Sequence, residues 1–143
     1  LWRQTSDNIK STIDKKGIWF GNTIQCCQIK KEYSNYKLEY LLAILNSKYL
    51  NYIYNNTIKE SNRVFPQIKI SNLKKLPIRI IDFNNKSDVD IYNKIISTVE
   101  ELSKFELNSV AYKSYIYILD DLIFDLYSVN KIERDKINLS YKN

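Results

Sequence analysis

The chain of 143 residues, 44% hydrophobic and 27% charged, has the size and composition of one globular domain able to bury a core without metals or disulfides. It has no histidine and only two cysteines, which removes the usual general base and the Ser-His and Cys-His triads and argues against a zinc site. Its net charge of +6 is segregated: residues 1–80 hold 14 Lys/Arg against 5 Asp/Glu, a net +9, and residues 81–143 hold 8 against 11, a net −3.

Residues 1–29 read as strands. Residues 1–5 form a candidate first strand, Ile9, Ser11 and Ile13 alternate with Lys10 and Thr12, and Asp14-Lys15-Lys16-Gly17 supplies a hairpin turn whose glycine takes positive φ. Ile18-Trp19-Phe20 and residues 23–29 continue the sheet after Gly21-Asn22, with Cys26 and Cys27 read as buried, reduced thiols. One face of such a sheet is apolar. The other offers Arg3, Lys10, Thr12 and Gln25 with the loop pair Lys15 and Lys16, residue types that hydrogen-bond base edges or phosphates but that also make an ordinary solvated face.

Residues 30–37 form a polar connection in which Ser34 or Asn35 is placed to cap a helix. Leu38, Leu41, Leu42, Leu45, Tyr49, Tyr52 and Ile53 recur at three- and four-residue steps, which predicts one helix of about five turns with Glu39 in its first turn and a frayed exit at Asn55-Asn56. After Pro66, Gln67-Ile68-Lys69-Ile70 alternates like a short strand, Ser71 is placed to cap one turn carrying Leu73 and Leu76, and Pro77 stops it. Residues 82–86 are a linker, and Ser87 is a plausible N-cap for a helix bearing Ile91, Ile95, Val99 and Leu102 to about Phe105. A turn at Asn108-Ser109 leads to a second helix, from Tyr112 through Leu119, Leu122, Ile123 and Leu126 to Val129, giving an antiparallel helical hairpin. Asp120, Asp121 and Asp125 read as its solvated face rather than as a metal or catalytic site, and the tail from Ser140 as frayed. The fold class is α+β: an N-terminal antiparallel β region, a long central helix, a short strand-turn unit and a C-terminal antiparallel helical hairpin. The domain divides into a basic DNA-facing α/β part over 1–80 and a helical part over 81–143.

Twelve tyrosines invite a base-stacking reading, but most fall on helix stripes, where a half-buried ring with a bonded hydroxyl is the commoner role. Trp2, Trp19, Phe20 and Tyr33, near the sheet, remain stacking or wedge candidates.

The order of these parts resembles the TaqI-like C-terminal specificity domain, the target-recognition part of bacterial adenine-N6 DNA methyltransferases and of fused type IIG restriction-modification enzymes. The resemblance is carried by a helix ending in Leu45-Asn46-Ser47-Lys48, a basic link, Phe65-Pro66 with Ile68 and Ile70, and Leu73-Lys74-Lys75-Leu76-Pro77-Ile78. It extends back to Arg3-Gln4-Thr5, residues 14–17 and Asn22-Thr23-Ile24, and forward to Asp120-Asp121-Leu122 with Leu126-Tyr127. It implies double-stranded DNA as partner, with Arg3, Gln4, Lys10, Thr12, Lys15, Lys16, Asn22, Lys59, Arg63, Lys69, Lys74 and Lys75 as DNA-binding candidates. Among these, Arg3, Gln4 and Lys10 are placed to reach base edges, and Lys59, Arg63, Lys69, Lys74 and Lys75 to face phosphates. It also implies an upstream methyltransferase domain of the same chain holding S-adenosylmethionine and the flipped adenine. The present residues contain neither an Asn-Pro-Pro-aromatic motif nor a glycine-rich donor loop, Gly17 and Gly21 being the only glycines. The chain itself is expected to carry no chemistry.

Two other readings fit the pattern. One is a recognition domain of a type I specificity subunit; the other is a helical protein-interaction module whose basic half is merely solvated, since abundant lysine is also what an AT-rich genome writes. No run reaches the length of a membrane span and no signal peptide opens the chain, so a bacterial cytoplasmic protein without a membrane partner is expected. A chain opening on Leu-Trp reads as a fragment of a larger protein.

Overall fold

Ile44 and Leu50, both fully buried, lie on successive central helices, α1 (Leu38–Asn46) and α2 (Lys48–Ile53), around which the remaining elements pack. The computed structural model describes residues 1–58 and 67–141. Before these helices come two-residue strands, β1 (Trp2–Arg3) and β2 (Ile24–Gln25), paired antiparallel with Trp2 opposite Gln25 and Arg3 opposite Ile24. After them come a π-helical turn at Tyr54–Ile58, α3 (Ile70–Leu73), α4 (Lys86–Leu102), α5 (Val110–Leu126) and α6 (Lys131–Leu139). The molecule is α+β and mostly helical. None of the described helices is long and apolar enough to cross a membrane.

The continuous five-turn helix expected over 38–53 is two helices. Ser47 is extended (φ −66°, ψ 150°), and its Oγ accepts from Leu50 N–H at 3.2 Å as the N-cap of α2. A side chain that satisfies a first-turn amide offers the backbone an alternative to continued helix. The break rotates the buried face: Tyr40, Ala43, Ile44 and Leu45 are buried on α1, while Leu38 is exposed and Leu41 and Leu42 half-buried. Neither Ser34 nor Asn35 caps α1. Lys37 is its N-cap, and Lys37 N–H donates to the Tyr92 hydroxyl on α4 at 2.8 Å.

The β region is smaller than expected. Residues 18–20 and 26–29 form no strand; the rest of the ladder consists of the isolated bridges Trp2–Ser11 and Thr5–Gln67. Cys26 and Cys27 are exposed rather than buried, because β2 ends at Gln25 before the ladder can cover them. Loss of solvent at the cleft beside α1 still pushes the Cys27 thiol above its ordinary value. The short strand expected around Ile68 is a single bridge at Gln67, and Ile70 already opens α3, whose N-cap is Lys69 rather than Ser71.

Asn85, not Ser87, caps α4, accepting from the amides of Ser87 and Asp88. Asn108 takes positive φ (67°) at the predicted turn and Ser109 caps α5, so α4 and α5 pack as a helical pair joined by seven residues. α5 stops at Leu126, earlier than the periodicity through Val129 suggests. Ser128 turns the chain with φ 53°, and Asn130 with Glu133 forms a capping box that starts α6, a helix the sequence reading does not place. Phe124, Val129 and Ile137 make a small core beneath it.

The tyrosines are mostly tethers. The Tyr36 hydroxyl accepts from Ile81 N–H (2.8 Å), Tyr40 donates to Arg79 O (2.9 Å), and Tyr127 donates to Pro77 O (2.6 Å) and accepts from Arg79 N–H (3.1 Å). Burial pushes the Tyr127 hydroxyl up to about 12, so it stays protonated and keeps donating. Trp2, Ile9, Leu76, Ile81, Ile95 and Ile123 share one core with Ile44, so the basic and helical parts are packed together rather than separately.

Candidate nucleic-acid interface

Side-chain parity along β1 decides which candidates face outward. Trp2 is buried and its indole Nε1 donates to Gln25 Oε1 at 3.1 Å, so these two share the inner face and the pair Arg3–Ile24 lies on the other. Trp2 is thereby removed from the stacking candidates and Gln25 from the outer face. The Trp2–Ser11 bridge turns Ser11 inward, where its N–H and Oγ donate to Asn46 Oδ1 on α1 at 2.7 and 2.9 Å. Ile9, two residues back, is buried and its N–H donates to Asn51 Oδ1 on α2 at 2.6 Å. Lys10 and Thr12 alternate with these inward residues and, like Arg3, are exposed, Thr12 at the rim of the cleft beside α1.

Further along the same strand, Thr5 bridges Gln67 and Ile68 N–H donates to Gln4 O at 2.7 Å, with Ile68 buried and Thr5 and Gln67 exposed. Three segments of the chain thus present one outward face. Gln4 has the parity of Trp2 and is half-buried; with its N–H on Thr23 O (2.8 Å) it ties the segments together instead of facing outward. Asn22 is exposed in the turn before β2.

Lys15 and Lys16 sit on the predicted turn. The Asp14 carboxylate accepts from the amides of Lys16 (2.8 Å), Gly17 (3.0 Å) and Ile18 (2.9 Å), and Gly17 has φ 70°. The bonds from Lys16 and Ile18 hold the Asp14 carboxyl below its ordinary value. Lys69 is half-buried at the N-cap of α3, while Lys74 and Lys75 are exposed beyond its last residue. Lys59, Arg63 and Phe65-Pro66 lie outside the described residues.

Five cations of the described residues form ion pairs with acids of the helical half: Arg79 with Asp88 (3.5 Å), Lys104 with Glu101 (2.5 Å), Arg134 with Asp125 (2.6 Å), and Lys37 and Lys48 of the central helices with Glu100 and Asp120 (both 3.4 Å), while several described lysines of that half, Lys86, Lys94 and Lys113 among them, stand without such a pair. Among the described residues, Arg3, Lys10, Lys16, Lys74 and Lys75 have no ion-pair partner, and Lys15 reaches Glu39 only at 3.9 Å with its side chain mostly in solvent. Unpaired, exposed cations are the groups that can displace counterions from a phosphate backbone at no cost in broken pairs.

Asn46, within the Leu45-Asn46-Ser47-Lys48 run, and Asn51, which no motif marked, are the residues that hold this face on the helices. For Asn51 the sequence signal was a polar amide in an otherwise apolar stretch.

A family model for the TaqI-like C-terminal specificity domain matches residues 1–78. The chain belongs to that family. Membership makes it a DNA sequence-specificity domain of the kind found with methyltransferases. The matched region holds the outward face, both asparagine clamps, α3 and Pro77; residues 79–143, including Asp120-Asp121-Leu122 and Leu126-Tyr127, lie beyond it. No curated protein and no solved structure matches the chain. In this TaqI-like domain the helices beyond residue 78 still serve the matched part, because Tyr92 caps α1 and Tyr127 fixes the Pro77 turn.

Proposed function

We propose that the chain is the target-recognition domain of an adenine-N6 DNA methyltransferase or of a fused type IIG restriction-modification enzyme. It holds double-stranded DNA while a methyltransferase domain carries S-adenosylmethionine and the extruded adenine. The observation that carries this reading is the set of exposed, unpaired cations within the matched residues, Arg3, Lys10, Lys16, Lys74 and Lys75, in the part of the chain that holds a net +9 against −3 beyond residue 80. A duplex carries one negative charge per about 1.7 Å of its axis, so a face with several unpaired cations gains affinity by releasing counterions. A protein-interaction module would gain nothing from leaving those charges uncompensated. Methyl transfer itself asks for groups this chain lacks, a donor loop and an Asn-Pro-Pro-aromatic motif; the role left to it is grip and register.

The parity of the sheet and the place of α3 support a division of the cations by task. Arg3 stands on the β ribbon, a shape that enters a major groove, and Lys75 stands off it, beside the Pro77 stop, where a phosphate contact is expected. Lys75→Ala is expected to weaken binding to all sequences alike and to shallow the dependence of log affinity on log salt by about one unit. Arg3→Ala is expected to cost about 1–3 kcal/mol on the cognate site and to relax choice at one base pair. Binding of the full-length enzyme to its own site and to single-base variants, measured across a salt series, separates the two. Uniform loss in both variants makes Arg3 a backbone contact, and binding by the wild type that ignores salt removes the whole reading.

A further inference from the structure

We propose that Trp19 is a wedge that the 14–22 loop inserts between base pairs of the bound duplex. This rests on the DNA-binding reading above and adds to it a second kind of contact, apolar and uncharged.

Ile18, Trp19 and Phe20 are consecutive exposed apolar residues, an arrangement that costs solubility and has no place in an isolated soluble loop without a use. They are not equivalent. Ile18 and Phe20 line a cleft of about 390 Å³ with Leu38, Leu41 and Leu42 of α1, which seats the loop on that helix. Trp19 between them is 101% exposed and does not line the cleft. It stands in solvent rather than seated on α1.

The loop is also held in shape. The Asp14 carboxylate takes three successive amides, Gly17 supplies the positive φ of the turn, and no Cβ contact crowds Gly17 or Gly21. A pre-shaped loop loses little freedom when its tip is inserted. What it faces is set by charge: Lys15 and Lys16 precede the tip on the same loop, Lys10 leads into it, and the one acid of residues 10–22, Asp14, is occupied by backbone. An apolar side chain on a basic loop suits a base stack bordered by phosphates better than it suits a protein groove. Apolar wedges of this kind unstack one base step, at a cost of a few kcal/mol that is smallest at flexible pyrimidine–purine steps.

The chain has two tryptophans, and Trp2 is buried, so the exposed component of its fluorescence belongs to Trp19. The experiment titrates the chain with a duplex rich in TA steps at low salt, following acrylamide quenching of tryptophan and, in parallel, binding by fluorescence anisotropy of the labelled DNA. Trp19→Phe, which keeps an aromatic ring, supplies the spectrum of buried Trp2 for subtraction. Expected is a several-fold fall in Trp19 quenching on binding, a loss of affinity of about tenfold in Trp19→Ala with an unchanged salt slope, and near-wild-type affinity in Trp19→Phe. Salt-dependent binding with Trp19 still open to acrylamide overturns the wedge and leaves the DNA-binding reading in place. Absence of binding at low salt overturns both. Shielding of Trp19 in the full-length enzyme without DNA also overturns the wedge, because the ring is then covered by protein.

Discussion

Asn51→Ala is expected to destabilise the chain by about 3 kcal/mol and to weaken DNA binding along with it. Asn51 is 3% exposed and its amide is engaged at both ends: Oδ1 accepts from Ile9 N–H at 2.6 Å, and the two hydrogens of Nδ2 are shared among Ser47 O (3.0 Å), Leu45 O (3.1 Å) and Ile9 O (3.4 Å). Alanine leaves the Ile9 amide and the carbonyls at the α1–α2 break without this partner, each at a desolvation cost of about 1–3 kcal/mol that small shifts recover only in part. The same bonds are what turn Ile9 inward and Lys10 outward, so the DNA face loosens with the fold. Asn51→Asp is expected to be worse than alanine at neutral pH. It keeps the oxygen that accepts from Ile9 N–H but sets the second oxygen of a buried carboxylate against three carbonyl oxygens, where it finds no donor. Urea unfolding monitored by far-UV circular dichroism gives the ordering, with the slope unchanged if only stability moved. An alanine variant within about 0.5 kcal/mol of wild type removes Asn51 as the clamp.

That clamp also marks where the sequence stopped being legible. The α+β class, the Asp14 to Gly17 turn, the turn at Asn108-Ser109 and the apolar helical stripes were all readable, because each rests on local chemistry: a glycine for positive φ, short polar side chains at a turn, a 3.6-residue period. The break at Ser47 was not. A serine inside an apolar run satisfies both a helix interior and an N-cap, and only the tertiary partner of the next amide, here Asp120, selects the cap. The sheet face was readable by alternation for Lys10 and Thr12 but not for Gln4 or Gln25, whose inward direction depends on the register with Thr23 and Trp2. Exposure of Cys26 and Cys27 escaped for the same reason: the sequence suggests a strand through residue 29, and pairing ends at Gln25. The family resemblance came through all of this because it lies in the order of the parts and not in their exact limits.

Asp120 carries the other large effect, and it corrects the expectation that the acids of α5 form a solvated face. Asp125 does lie at the surface, paired with Arg134, but Asp120 is buried between α5 and the start of α2. Its Oδ1 accepts from Lys48 N–H at 2.9 Å, the first amide of α2, and its Oδ2 lies 3.4 Å from Lys48 Nζ. A carboxylate at that position satisfies an amide with no partner inside its own helix and complements the helix dipole. Burial nevertheless raises the Asp120 pKa above its ordinary 3.8, with the Lys48 amide and ammonium offsetting only part of the desolvation. The substitutions therefore separate by hydrogen bonding more than by charge. Asp120→Ala strands the Lys48 amide and is expected to cost about 2–3 kcal/mol, the exposed side of the lysine limiting the loss from its own unpaired charge. Asp120→Asn retains an acceptor, and Lys48 Nζ keeps Asn138 Oδ1 at 3.2 Å, so its cost at neutral pH is expected to stay within about 1 kcal/mol. The sign of the pH dependence follows from the raised value. The folded state binds the proton more tightly than the unfolded one, so this contribution is complete below 3.8 and is lost as pH rises through the folded pKa. The difference in unfolding free energy between wild type and Asp120→Asn should accordingly move against the wild type as pH rises above 3.8 and level off once pH has passed the folded pKa, as read by urea titrations across a pH series. A difference that is flat in pH, together with an alanine variant as stable as wild type, would return Asp120 to the solvated face and detach α5 from the entry of α2.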